Sequence, residues 1–308
     1  MIYLLLALTI VLAAAGDIFY KIFDRKGEAT FSDMQAFNLI RFAVPIIIVL
    51  IATFGALSFP SGLSILVGIL FGVFSVIASM LSLYSIKTGP LSLFVMIRTG
   101  SAIVPAAYGI LFLNNRLSAS QTVGMTVLLV ALILCAFERK EKEEKETMEN
   151  GTAIKPGTEK KEVSLKWLLS SVGCMLLVGV NLVLLAVHQD KLQGLEINEM
   201  LLVTYICMTV FFGVICAASI FAAKVPLKTF RATGVILSAG SAGAGYASSL
   251  LLLTLISLVA PAVLFPTYYG GIVLFATLVA IVAFRERLPV IKWIGLAFGC
   301  VSLVLLQL

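Results

Sequence analysis

Charge is scarce in this chain. Only 12% of its 308 residues are charged and 60% are hydrophobic, whereas a soluble domain is about a quarter charged. Histidine occurs once, as His188, and Asp17 is the one carboxylate set clearly inside an apolar run. No nucleophile–base pair, carboxylate dyad or metal cluster can be assembled from so little, so an enzyme is not expected. The five cysteines, Cys135, Cys174, Cys207, Cys216 and Cys300, all lie within apolar runs and none has ligand spacing. Buried thiols follow, with no disulfide framework, metal or other cofactor. A basic n-region is missing ahead of the first apolar run. Ala13-Ala14-Ala15 before Gly16 resembles a signal-peptidase site, but the segment reads as a retained helix. The pI near 9.1 does not point to nucleic acid, because the basic residues sit in short loops between apolar runs.

Those runs are what the chain has in abundance. A span needs about 20 apolar residues, and ten segments qualify: 2–22, 33–54, 62–85, 89–113, 118–137, 166–188, 198–223, 231–256, 259–283 and 289–307. With no water in the bilayer core, each must be a helix that satisfies its own backbone. The expected fold is an all-α integral membrane protein. The one long connection, 138–165, is rich in Lys and Glu and is broken by Gly151, Pro156 and Gly157. It reads as a linker between two sets of five spans, 1–137 and 166–308.

The two sets repeat each other. A gapless shift of 171 residues lays 89–124 on 260–295, so that Pro90 meets Pro261, Gly100 meets Gly271, Arg116-Leu117 meets Arg287-Leu288 and Gly124 meets Gly295. Apolar matches are cheap in membrane sequence; Pro, Gly and Arg-Leu matches in one register are not. Five is odd, so the second set enters from the opposite face. The expectation is a pair of inverted-topology repeats, an arrangement typical of secondary transporters. Fusion of five plus five allows a functional monomer or a dimer.

Loop charge orients the chain. With both termini extracytoplasmic, 18 Lys and Arg fall in cytoplasmic loops, eight of them within 138–166, and the external loops keep only Arg116 and Lys191. Arg41 and Arg98 lie inside spans. A cell-membrane, multi-pass protein is expected, with its partners a small-molecule substrate, the lipid bilayer and protons as a candidate coupling ion.

"FRERLPVIKWIGLAFGCVSLVLL" (284–306), Arg41 in "NLIRFAVP" and the five-plus-five repeat with its Pro-bearing fourth helices resemble the EamA-type branch of the drug/metabolite transporter superfamily. The resemblance runs over essentially the whole chain. It implies the ten-helix fold and carriage of a small metabolite, and leaves amino acids, sugars, nucleotide-linked metabolites, quaternary amines and drugs open as cargo. A flippase of a lipid-linked metabolite and an exporter of cationic drugs are the alternatives. The chain departs from the family at the first "ERL"-like turn, which has Asn115 in place of glutamate. Relatives are generally drawn with cytoplasmic termini, opposite to the orientation that loop charge favours here.

The arginines point to a site. Arg98, Ser101, Pro105 and Tyr108 recur at helical spacing, one stripe of a 3.6-residue helix. Arg98 lies roughly 15 Å along its span, near the midplane. Asp17 pairs with Arg41, Arg98 or Lys21 as a register pin, or exchanges a proton during transport. One aspartate cannot neutralise Arg41, Arg98 and Lys21 together, so the excess positive charge suits a carboxylate or phosphate on a cargo. Shifted by 171, Arg98 faces Tyr269, with Tyr268 and Thr267 beside it and Pro266 freeing nearby backbone groups. Asn181 shares a helix face with His188, which is expected at the membrane interface. Ser75, Ser79 and Ser82 stripe the third span. The candidate substrate-binding set is Arg98, Tyr269, Tyr268, Asn181, Ser101, Tyr108 and Ser79; Asp17 and Arg41 form the candidate coupling or charge pair. Gly240, Ala244 and Ser248 favour close helix packing, with a cavity wall as the alternative.

Overall fold

The computed structural model describes residues 2–23, 30–53, 57–88, 94, 97–98, 100–113, 118–136, 164–223, 231–284 and 290–307. Among them lie ten α-helices and no strand: α1 Ile2–Phe23, α2 Phe31–Ala52, α3 Gly62–Thr88, α4 Ile103–Phe112, α5 Ala119–Ala136, α6 Leu165–Leu192, α7 Ile197–Ala223, α8 Ala232–Ile256, α9 Pro261–Phe284 and α10 Val290–Gln307. Seven helices are long and apolar enough to cross a bilayer, and apolar stretches in α4, α5 and α10 are shorter. Their outward side chains are large and apolar: Leu111 is 72% exposed, Phe112 71% and Val282 78%. Such a surface would aggregate in water and is ordinary against lipid. The chain is an all-α, multi-pass membrane protein.

Side-chain chemistry sets where the helices start. Thr30 caps α2 in a capping box: its hydroxyl accepts from the Asp33 amide, and the Asp33 carboxylate accepts from the Thr30 amide at 3.0 Å. Ser164 caps α6 by accepting from the Trp167 amide at 3.1 Å. Of the linker (138–165), residues 138–163 lie outside the described residues.

Two helix pairs that cross between the first and second set run antiparallel. Along α3 and α6 the paired positions are Ser85–Ser170, Ser75–Asn181 and Ser64–His188. Along α1 and α8 they are Gly16–Ser241 and Thr9–Ser248. The ends of α3 and α1 therefore lie with the starts of α6 and α8 at one face, called here the linker face. Small residues bring helices close. A Cβ at Gly68 would lie 2.9 Å from Val203, and one at Gly72 2.9 Å from Cys207, so this four-residue pair seats α3 against α7. The main core cluster (Leu185, Met200, Leu201, Leu255, Leu264 and Phe265 among its members) fills the opposite, far end.

Candidate functional site

Between the far-end core and the linker face the helices part around three adjoining pockets. The largest, about 380 Å³, is walled by Arg41, Arg98, Ser75, Ser79, Asn181 and Tyr269. A second, about 230 Å³, shares Arg41, Arg98 and Tyr269 with it and adds Tyr205, Tyr246 and Tyr268. A third, about 180 Å³, lies between Tyr269 and the aliphatic residues of α6, α7 and α8. We refer to the first two together as the chamber. Its wall extends to Tyr20, Ser82 and Leu83, near the linker-face ends of α1 and α3, and the core cluster closes it at the far end.

Two guanidiniums therefore share one chamber. Among the described residues the Arg98 side chain makes no hydrogen bond or ion pair, and it is exposed into the chamber. Nη2 of Arg41 lies 3.4 Å from where a Cβ on Gly16 would be, which places that guanidinium against α1. The Asp17 side chain is outside the described residues, so the Asp17–Arg41 pairing lies there too.

The polar wall opposite is built on α3 and α6. The Asn181 side-chain amide donates to Ser75 Oγ at 2.9 Å, and its own Oδ1 is buried with no partner. Ser79 donates to the Ser75 carbonyl at 2.9 Å. On α9, Tyr268 and Tyr269 stand edge to face with centroids 5.3 Å apart, and the Tyr268 hydroxyl is 3.3 Å from Ser248 Oγ.

Five of the seven expected binding residues, Arg98, Tyr269, Tyr268, Asn181 and Ser79, border the chamber. Ser101 and Tyr108 do not. The expected continuous α-helical stripe is broken by a 3₁₀ turn over Gly100–Ala102 ahead of α4, which winds three residues per turn and rotates the helix beyond it. Ser101 is buried against α6, its hydroxyl unpartnered. Val104 presses on Gly179, where a Cβ would lie 2.6 Å away. Tyr108 stacks on Phe112 and packs against the far-end core. The small residues of α8 serve both readings on neighbouring faces. Gly240 packs on Phe19, while Ser241, Gly245 and Ser248 border the chamber. Phe42, Tyr205 and Tyr246, absent from the expected set, complete its aromatic side.

At the far end, His188 is fully buried rather than interfacial. Ser64 donates to Glu196 Oε2 at 2.6 Å, so the His188 Nε2–H, 2.9 Å away, donates to Ser64 Oγ. Glu196 also accepts from the Ser61 hydroxyl at 2.6 Å and amide at 2.9 Å, and Glu199 accepts from the Ser58 hydroxyl at 2.9 Å. Glu196 sits in the turn between α6 and α7 at φ 57°. The Ser61 hydroxyl, the Ser64 hydroxyl and the Ser61 amide hold its carboxyl below the ordinary range. Serines at i and i+3 before one apolar run and glutamates at i and i+3 before another were the available signal, yet nothing local pairs residues 132 or more apart.

No family model matches the chain, and no curated protein matches it. A solved crystal structure of a protein superposes on 98% of this chain and 93% of its own with a TM-score of 0.67 at 12% identity. That likeness concerns the fold.

Proposed function

We propose that this protein is a secondary-active transporter of a small anionic or zwitterionic metabolite, working by alternating access across the cell membrane. One observation carries the reading: Arg98, without a partner among the described residues, faces a chamber of about 380 Å³ whose other walls hold Ser79, Asn181 and Tyr269. An embedded guanidinium is costly and marks a substrate path by default. It grips a carboxylate or phosphate with two parallel bonds.

The ten-span, inverted-repeat organisation belongs to the same proposal, and the packing pattern supports it. If each of the first five helices corresponds to the one five places later, the pair α1–α8 exchanges with α6–α3. Likewise α1–α9 exchanges with α6–α4, and α3–α7 with α8–α2. The pairs α2–α7, α4–α9 and α5–α10 map onto themselves. All of these pairs pack. Loop charge favours extracytoplasmic termini, which makes the linker face cytoplasmic and puts the end closed by the core cluster on the outside. Membership of the EamA-type branch rests on the sequence resemblance, and Asp17 is the candidate proton-coupling group.

A thermal-shift screen of the purified protein across organic acids, amino acids, phosphorylated metabolites and quaternary amines tests the reading, because a ligand of the native state raises stability by mass action. Stabilisation by acidic or zwitterionic compounds, lost in Arg98→Ala, is the expected result. A response confined to cations without an acidic group would refute it.

A further inference from the structure

The third pocket has a chemistry unlike the chamber it adjoins. It shares Phe71, Leu182 and Tyr269 with the chamber wall, then sinks toward the far end among Leu185, Leu201, Met208, Leu252 and Leu253. Three of the hydroxyls that border it already have partners. Thr204 donates to the Gly68 carbonyl at 3.2 Å, Ser249 donates to the Gly245 carbonyl at 2.9 Å, and the Tyr268 hydroxyl is 3.3 Å from Ser248 Oγ. No charged residue lines it. A ligand group that entered would find a wall that is mostly aliphatic and aromatic. Its volume, about 180 Å³, is close to the ~150 Å³ of an apolar protein cavity that stays dry and takes up benzene. One aryl ring or branched alkyl group fits.

This inference rests on the reading of Arg98 as an anion site and narrows its ligand. We propose that the cargo carries two features, an anionic head bound by Arg98 and a single aryl or branched-alkyl group housed in this pocket. Tyr269 and Leu182 border both places, so one small molecule spans them. Small anions without an apolar group leave the pocket empty and bind weakly. Cargo is thus selected by the body as well as by the charge. Burial of one apolar side-chain-sized group corresponds to about 10- to 100-fold in affinity.

The test is calorimetric binding to the purified full-length protein with acetate, 3-methylbutyrate, phenylacetate, indole-3-acetate and benzylamine. The wild type should bind phenylacetate and 3-methylbutyrate 10- to 100-fold more tightly than acetate, and benzylamine not at all. Met208→Trp, which fills the pocket, should bring that ratio close to one while acetate affinity stays. Leu253→Ala, which enlarges it, should move the preference to indole-3-acetate; it decides the matter should Met208→Trp fail to fold. Equal affinities for acetate and phenylacetate in the wild type, both lost in Arg98→Ala, would overturn the apolar subsite and leave the anion site standing. So would a preference for phenylacetate that survives both pocket variants, since the ring would then lie elsewhere. If none of these carboxylates binds, this proposal fails, and the screen of amino acids and phosphorylated metabolites then decides the anion reading separately.

Discussion

Replacing Arg98 separates a binding residue from a structural pin, because the two roles predict opposite effects on the empty protein. Among the described residues the guanidinium has no hydrogen bond or ion pair to lose, and Arg41 remains in the same chamber. Arg98→Ala should therefore leave the melting temperature of the ligand-free protein unchanged or slightly raised. The effect on binding derives from the bonds an acidic group would make. Each charge-assisted hydrogen bond contributes about 1.5–3 kcal/mol. Arg98 is exposed to the chamber, where water raises the local dielectric and favours the lower end of that range. Lysine keeps the charge and loses the second of two parallel bonds, which is about a tenfold loss in affinity; alanine loses both, about 100-fold. The assay is titration of wild type, Arg98→Lys and Arg98→Ala with the strongest acid found in the screen, alongside unfolding curves without ligand. Wild-type affinity in Arg98→Ala would refute the argument. So would a fall of several degrees in the ligand-free melting temperature, which would make Arg98 a register pin.

Two further outcomes are expected. The Glu196 carboxyl titrates below its ordinary value, so its contribution to stability is full above about pH 4.5 and is lost as pH falls through the folded value. The wild type should lose melting temperature on acidification below that point, and Glu196→Gln should start lower at pH 7 and converge with it at acid pH. Parallel curves across that range would show that the carboxylate does not fasten α3 to the α6–α7 turn. For orientation, single cysteines on a cysteine-free background should react with an impermeant reagent in whole cells at Leu195→Cys, on the far face, and not at Leu165→Cys, on the linker face. The reverse would put the linker outside.

Much of this arrangement was legible in the sequence because membrane helices leave few choices. Apolar run lengths located nine of the ten helices to within about four residues; the fourth, expected over 89–113, is described as α-helix over Ile103–Phe112, with 89–93 outside the described residues. The 171-residue shift that matched Pro90 with Pro261 also matched Arg98 with Tyr269, and both border the chamber. The seven-residue spacing of Asn181 and His188 put them on one face, and both meet α3. Spacing failed at Ser101 and Tyr108, where it presumed α-helical winding through Gly100–Ala102. A 3₁₀ turn has no strong apolar signature, so one turn of different pitch misplaced every later residue of the stripe. Tyr205 and Tyr246 escaped notice because a tyrosine in an apolar helix suits a lipid interface, a core or a cavity equally well. The glutamate–serine fastening at the far end depends on which turn meets which helix start, and that is a property of packing.

The hydrogen bonds between helices have a consequence for how the chain divides. Those along α3 and α6 run from Ser85–Ser170 near the linker face to Ser64–His188 at the far end, and α1 is fastened to α8 at two levels. Each fastening crosses from residues 1–137 to residues 166–308. Halves of the sequence are thus neither independent folding units nor separate moving bodies: a rigid-body displacement of one against the other would tear α3 from α6. Proteolytic nicking of the linker should leave the fragments associated, and the two segments produced as separate polypeptides in one cell should copurify. Either segment produced alone should be degraded, its share of the far-end core exposed to lipid with buried serines and Asn181 left without partners.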